Sequence, residues 1–207
     1  MTVQAWLAFV AAAAVLLAIP GPTVTLVIGY ALGVGRRAAW ATVAGVALGD
    51  FTAMTLSLLG LGAVLAASAA LFTGLKWLGA GYLVYLGVRL WRAEPVLDAL
   101  GAADARSARA ILGHAFAVTA LNPKSILFFV AFVPQFMDAQ APFAPQLAIL
   151  EATFVVMAAL NAGVYAALAG RARRLIRRPA VLKAVNRVGG GILIGAGIAT
   201  VAWRRAG

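Results

Sequence analysis

Three charged residues stand where an apolar chain has least reason to hold them. Asp50 lies in the middle of one long apolar run, and Glu151 near the start of another. Neither run holds a second acid. Lys124 follows a proline inside a third run. A carboxylate at mid-span costs about 2.5–3.5 kcal/mol on insertion scales, so such groups face a cavity or a partner. The chemistry open to them is carrying a proton or holding an ammonium group. Each has a structural alternative. Asp50 can be one half of an ion pair with Lys124, and Glu151 can be an interfacial carboxylate. Lys124 can hold a carboxylate, neutralise Asp50, or extend its long stem to an interface, although from mid-span that reach is poor.

The same runs carry their own breakers. In "AIPGPT" Pro20 and Pro22 flank Gly21, and in "LNPKS" Pro123 follows Asn122. Proline has no amide hydrogen and clashes with the carbonyl one turn earlier. A carbonyl left unpaired in hydrocarbon costs several kcal/mol. Broken backbone at membrane depth is therefore tolerated only where protein or a water-filled cavity satisfies it. Taken alone, "PGP" reads equally as a plain proline kink. The second break, in a matching position, favours a functional reading. Thr23, Thr25, Asn122 and Ser125 can supply hydrogen bonds beside the breaks, while Asn161 reads by default as an interhelical bond. The expected substrate-binding set is Pro20, Gly21, Pro22, Thr23, Asp50, Asn122, Pro123, Lys124 and Glu151, with Asp50 the proton-coupling residue. His114, the one histidine, and Lys76 read as interfacial. With no cysteine and no histidine cluster, neither a metal site nor a disulfide or dithiol relay is expected. No phosphate loop or catalytic constellation is present, so neither an enzyme nor a cofactor is expected.

The elements that hold these residues follow from composition. The chain has 207 residues, 64% of them hydrophobic and 11% charged. That charge share is low for a soluble domain, and most segments lack the polar face of a soluble amphipathic helix. Several runs exceed the roughly 20 residues that cross a bilayer. The expectation is a single all-α membrane domain of six spans. These cover Gln4–Val34 (interrupted at Pro20–Pro22), Ala38–Ala66, Leu71–Trp91, Ala110–Phe136 (interrupted at Asn122–Lys124), Pro145–Gly170 and Asn186–Trp203. The start, "MTVQAW", has no Lys or Arg, so the first run reads as a retained span and not as a cleaved signal.

Charge orders the loops. The net charge of +11 comes from bases gathered in short loops, an orientation signal in a membrane protein and an attraction for anionic head groups. Nucleic acid is not an expected partner. Loops 35–37, 92–109 and 171–187 carry the bases and are expected on the cytoplasmic side. Arg204 and Arg205 in the tail argue weakly against the resulting external termini. An offset of 101 residues pairs Pro22 with Pro123, Asp50 with Glu151, Gly62 with Gly163 and Leu26 with Leu127. Residues 1–91 and 110–207 then read as two three-helix repeats of inverted topology, joined by the linker 92–109. Paired broken helices in such halves point to a transporter's central site. Glycine pairs Gly29/Gly33, Gly45/Gly49 and Gly191/Gly195 read as close helix packing, compatible with a homodimer.

The stretches "IPGPT", "AGVALGDF", "LKWLGAGYLVYLGVRLWR", "LNPKSILFFVAFVPQF" and "NRVGGGILIGAGI" resemble, in order and across almost the whole chain, the LysE/RhtB family of amino-acid exporters. The resemblance implies a six-span bacterial plasma-membrane protein that moves amino acids or close derivatives outward, driven by protons. Its motif positions fall on Pro20, Gly21, Pro22, Asp50, Asn122, Pro123 and Lys124. Family members differ in substrate, so the resemblance selects none. A channel or lipid-moving protein would also use interrupted helices and stands as the alternative.

Overall fold

The structure is a computed structural model. It describes residues 1–67, 74, 77, 81, 84–85, 87–89, 91–92, 107–138, 140–169, 171 and 178–202. Among these residues the elements are helical and no strand occurs. They are α1 (Val3–Ala18), α2 (Pro22–Gly33), α3 (Arg36–Ala67), α4 (Ala108–Ala120), α5 (Pro123–Ala131), a 3-10 turn (Val133–Phe136), α6 (Phe143–Ala167) and α7 (Pro179–Ala202). The described residues between 74 and 92 are also helical.

Length and apolarity make α3 and α6 candidate spans. Their apolar stretches run Arg37–Gly62 and Phe143–Ala167, 26 and 25 residues. At a 1.5 Å rise per residue either exceeds the roughly 30 Å hydrocarbon core. Two further helix pairs pass together, α1 with α2 at a bend of 57°, and α4 with the segment through Phe136 at a bend of 46°. The described residues thus offer two to four candidate spans. Most of the expected third span, most of the linker 92–109, and Arg204 and Arg205 lie outside the described residues. So do residues 172–177 of loop 171–187; its far end is not loop, because α7 begins at Pro179, ahead of the expected Asn186. Proline at a helix start gives up only an amide that would be unpaired there anyway.

Helix faces sort by environment. On α3, Thr42, Val46, Asp50, Ala53 and Leu58 are buried while Leu48, Phe51, Leu56 and Leu59 are exposed. On α6, Leu150, Glu151, Phe154, Ala158 and Ala162 are buried while Ile149, Val156, Leu160 and Val164 are exposed. Exposed aliphatic stripes with acids turned inward suit hydrocarbon and not water as the surrounding solvent.

Packing against α3 is closest at α4. A Cβ on Gly45 would stand 2.5 Å from the Leu112 carbonyl oxygen, and one on Gly49 2.8 Å from the Thr119 Cβ. Nothing larger than glycine fits while α4 lies there. A second such approach joins Gly87 to Gly190, where a Cβ on Gly87 would meet the Gly190 carbonyl oxygen at 2.6 Å. Gly190 makes that contact; of the expected pair, Gly191 packs closely on Trp91, where a Cβ would stand 3.2 Å from the ring, while Gly195 has open space at its Cβ position.

The two ends of the bundle are distinct. At one, the Met1 amine lies 4.0 Å from the Asp138 carboxylate, and Gln146 Nε2 donates to the carbonyls of Asp138, Ala141 and Pro142. At the other, Tyr30 and His114 Nδ1 share a hydrogen bond of 2.8 Å, and Ala166 and Ala167 of α6 lie beside Ala31 and Gly35. The α2–α3 turn there is made by Gly35 at φ 93°, a left-handed backbone that an L side chain would strain.

Candidate functional site

Backbone arithmetic defines the site. In a continuous helix the amide of residue 20 would bond the Leu16 carbonyl, and that of residue 22 the Ala18 carbonyl. Both amides are missing, because both residues are proline. α1 therefore ends with open carbonyls, and distant side chains fill them. Lys124 Nζ donates to the Leu16 carbonyl at 3.0 Å and to the Ile19 carbonyl at 3.1 Å. Asn161 Nδ2 donates to the Leu17 carbonyl at 3.1 Å. The Tyr165 hydroxyl donates to the Ala18 carbonyl at 3.0 Å.

Beyond the break, α2 opens differently. Its N-cap is Gly21, which offers no side-chain acceptor. Among the described residues no acceptor is found for the amides of Thr23 and Val24. These donors stand at a helix N-terminus, where the macrodipole adds partial positive charge. The second break is closed locally. The Asn122 side chain accepts from the Lys124 amide at 3.1 Å, and the Asn122 amide bonds the Thr119 carbonyl at 3.1 Å.

The two breaks touch. Asn122 Nδ2 donates to Thr23 Oγ1 at 3.4 Å, and the hydroxyls of Thr23 and Thr119 lie 3.4 Å apart. Gly21 packs against Lys124, since a Cβ there would be 3.6 Å from Nζ. Between the breaks lies a cavity of about 30 Å³ that Thr23, Asp50, Asn122, Lys124, Asn161 and Tyr165 help to line. That volume admits about one or two waters and no amino acid. A larger cleft, about 180 Å³, lies between α3 and α6, with no charged side chain among the described residues of its lining.

Asp50 is 3% exposed and lines the small cavity. No hydrogen bond or ion pair reaches its carboxylate among the described residues. The ion pair with Lys124 is thus not formed, although both groups line one cavity. Buried polar groups are nearly always bonded, so Asp50 is a free acceptor aimed at a space too small for a ligand.

Of the expected set, Thr23, Asp50, Asn122 and Lys124 meet at this cavity, while Pro20, Gly21, Pro22 and Pro123 shape the two breaks. Glu151 does not line it. It is buried on α6 and accepts a hydrogen bond from the Thr55 hydroxyl of α3. Carbonyls freed at the breaks had been expected to hold a substrate ammonium; those of Leu16 and Ile19 hold Lys124 instead, and the hydroxyl of Tyr165 had not been expected at the site. Asn161 and Tyr165 had one usable signal, two polar side chains at i, i+4 in an apolar helix, hence on one face.

An apolar helical bundle with inward acids and two broken helices meeting at a buried polar cavity defines a membrane protein of the translocating kind. The family model described as "LysE type translocator" matches residues 14–202. An uncharacterized membrane protein of Vibrio cholerae is 35% identical over 198 residues, covering 96% of this chain and 97% of its own. The homoserine/homoserine lactone efflux protein of Salmonella typhi is 34% identical over 202 residues, covering 97% and 98%. A leucine efflux protein of Klebsiella pneumoniae is 32% identical over 137 residues, covering 66% and 65%. The chain belongs to the LysE family of translocators. No solved structure matches it.

Proposed function

We propose that this protein is a secondary exporter of amino acids or their close derivatives across the bacterial plasma membrane, coupled to protons through Asp50. One observation carries the reading: a buried, unbonded carboxylate faces a cavity that the open amides of α2 also border. An amino acid presents a cation and an anion a fixed distance apart. Asp50 takes the α-ammonium. The amides of Thr23 and Val24 take the carboxylate, as helix N-termini take anions generally. Homoserine and leucine, which the names of two relatives print, are zwitterions of this class, and homoserine lactone, printed beside homoserine, is a close derivative without a free carboxylate.

Protonation of Asp50 from outside releases the ammonium, and loss of that proton inside resets the site. A unit charge gains about 2.3 kcal/mol per 100 mV of membrane potential, enough to drive such a cycle. The closed cavity supports a carrier over a channel, since a substrate enters only if the helices around it move. The two bends, at Pro22 and Pro123, are the places for that movement.

The topology belongs to the same proposal. Six spans form two inverted three-helix repeats, residues 1–91 and 110–207, with helices one and four broken. Loops 35–37, 92–109 and 171–187 face the cytoplasm. The separation of the Gly35 turn and the end of α6 from Met1 and Asp138 supports that sidedness.

Reconstituted vesicles test the reading. Saturable uptake and counterflow of an amino acid, accelerated by a pH gradient, are expected from the wild type. Asp50→Asn should remain folded and lose the gradient-driven component. Coupled transport that survives undiminished in that variant would sink the mechanism.

A further inference from the structure

Among the described residues, the ammonium of Lys124 is the one cation in the lining of the cavity. It rests on the carbonyls of Leu16 and Ile19, and it neither pairs with Asp50 nor points out to solvent-exposed acids. The helix break gave those two carbonyls no other partner. Lys124 therefore occupies the place where broken-helix carbonyls of a carrier commonly hold a separate cation.

Charge counting then limits the substrate. Asp50 and Lys124 bring opposite unit charges, so the empty cavity is neutral. A zwitterion adds no net charge. A basic side chain would add a cation, and an acidic one an anion. The rest of the lining cannot answer either. It consists of aliphatic residues such as Val27, Val46 and Ala162 with uncharged Thr23, Ser125 and Asn161. The other acid of these helices, Glu151, is engaged with Thr55 away from the cavity.

We infer that Lys124 is a resident cation that restricts this carrier to amino acids of zero net charge, excluding those with basic side chains. The inference rests on the exporter reading above. Lys124 is a specificity-determining residue that positions α1 and sets the charge balance. An unanswered unit charge at mid-membrane corresponds to about a hundredfold in affinity. Removing the ammonium should reverse the preference, because the Asp50 carboxylate is then without a resident countercharge and favours a substrate carrying one extra positive charge.

Counterflow in vesicles, with substrates matched in size, tests this. Homoserine is paired with 2,4-diaminobutyrate, and norleucine with lysine. In the wild type the charged member of each pair should compete about a hundredfold more weakly than its neutral partner. Lys124→Gln keeps an N–H donor for the carbonyls and removes the charge. It should weaken the neutral members and admit the charged ones, whereas Lys124→Arg should keep the wild-type order. Equal competition within both pairs in the wild type, or an unchanged order in a folded Lys124→Gln variant, overturns the resident cation and leaves the exporter reading standing. Should Lys124→Gln fail to fold, the wild-type comparison decides alone. If no member of either pair moves in the wild type, the exporter reading fails and this inference with it.

Discussion

At the first break, between Ala18 and Pro22, four successive carbonyls from Leu16 to Ile19 are bonded by Lys124, Asn161 and Tyr165, side chains more than a hundred residues away. At the second, between Ala120 and Pro123, one neighbouring residue does most of the work, with Asn122 capping α5 and bonding Thr119. The first break also leaves the N-terminus of α2 uncapped, and the second does not leave α5 so. A break held from a distance keeps its shape only while other helices stay in place. A break that caps itself keeps its shape alone. The first is therefore suited to exchange its bonding partners as helices move and to receive a ligand, and the second to keep its own cap through the same movement.

The largest effect should come from stripping the distant partners. Asn161→Leu leaves the part-buried Leu17 carbonyl unpaired, about 1–3 kcal/mol, and Tyr165→Phe leaves the more exposed Ala18 carbonyl unpaired, at the low end of that range. Thermal unfolding in lipid nanodiscs should show both losses, with a double variant that departs from simple addition because the two sites are neighbours. Next is Asn122→Ala, where loss of one N-cap costs about 1 kcal/mol. If this variant melts below the double variant, the contrast between the breaks is reversed. The smallest stability effect belongs to Gly21→Asn, which gives the first break the cap that it lacks. It should raise stability by a few tenths of a kcal/mol yet weaken amino-acid binding, because its side chain competes for the Thr23 and Val24 amides. Unchanged binding in counterflow would remove those amides from the site.

The two acids make a second contrast. Glu151→Gln retains an acceptor for Thr55, and transport by this variant should stay closer to wild type than transport by Asp50→Asn. A larger defect at Glu151 would return it to the site from which its position separates it.

Prolines and acids stand out in apolar runs, so the breaks, the inward acids and the helical fold were legible in the sequence. The partners of Lys124 were not. They are backbone carbonyls: the prolines mark that some are freed at the break, but nothing in the side chains of Leu16 or Ile19 says which distant group fills them. The offset of 101 residues treated Asp50 and Glu151 as equivalents, yet the same offset sets Thr23 against Lys124 and Gly21 against Asn122. Those unlike pairs are where the two breaks diverge. The structural alternative for Asp50, an ion pair with Lys124, rested on opposite charge alone, and two open carbonyls compete well for an ammonium in a dry setting.

The glycine contact between α3 and α4 carries a mechanical consequence. Where Gly45 and Gly49 meet Leu112 and Thr119, backbone lies almost against backbone, with no layer of side chains to shear or repack. Such a joint transmits force without slack. α3 and α4 should turn as a single lever, with Asp50 fixed to it, and any rocking between open and closed forms is delivered to the two bends.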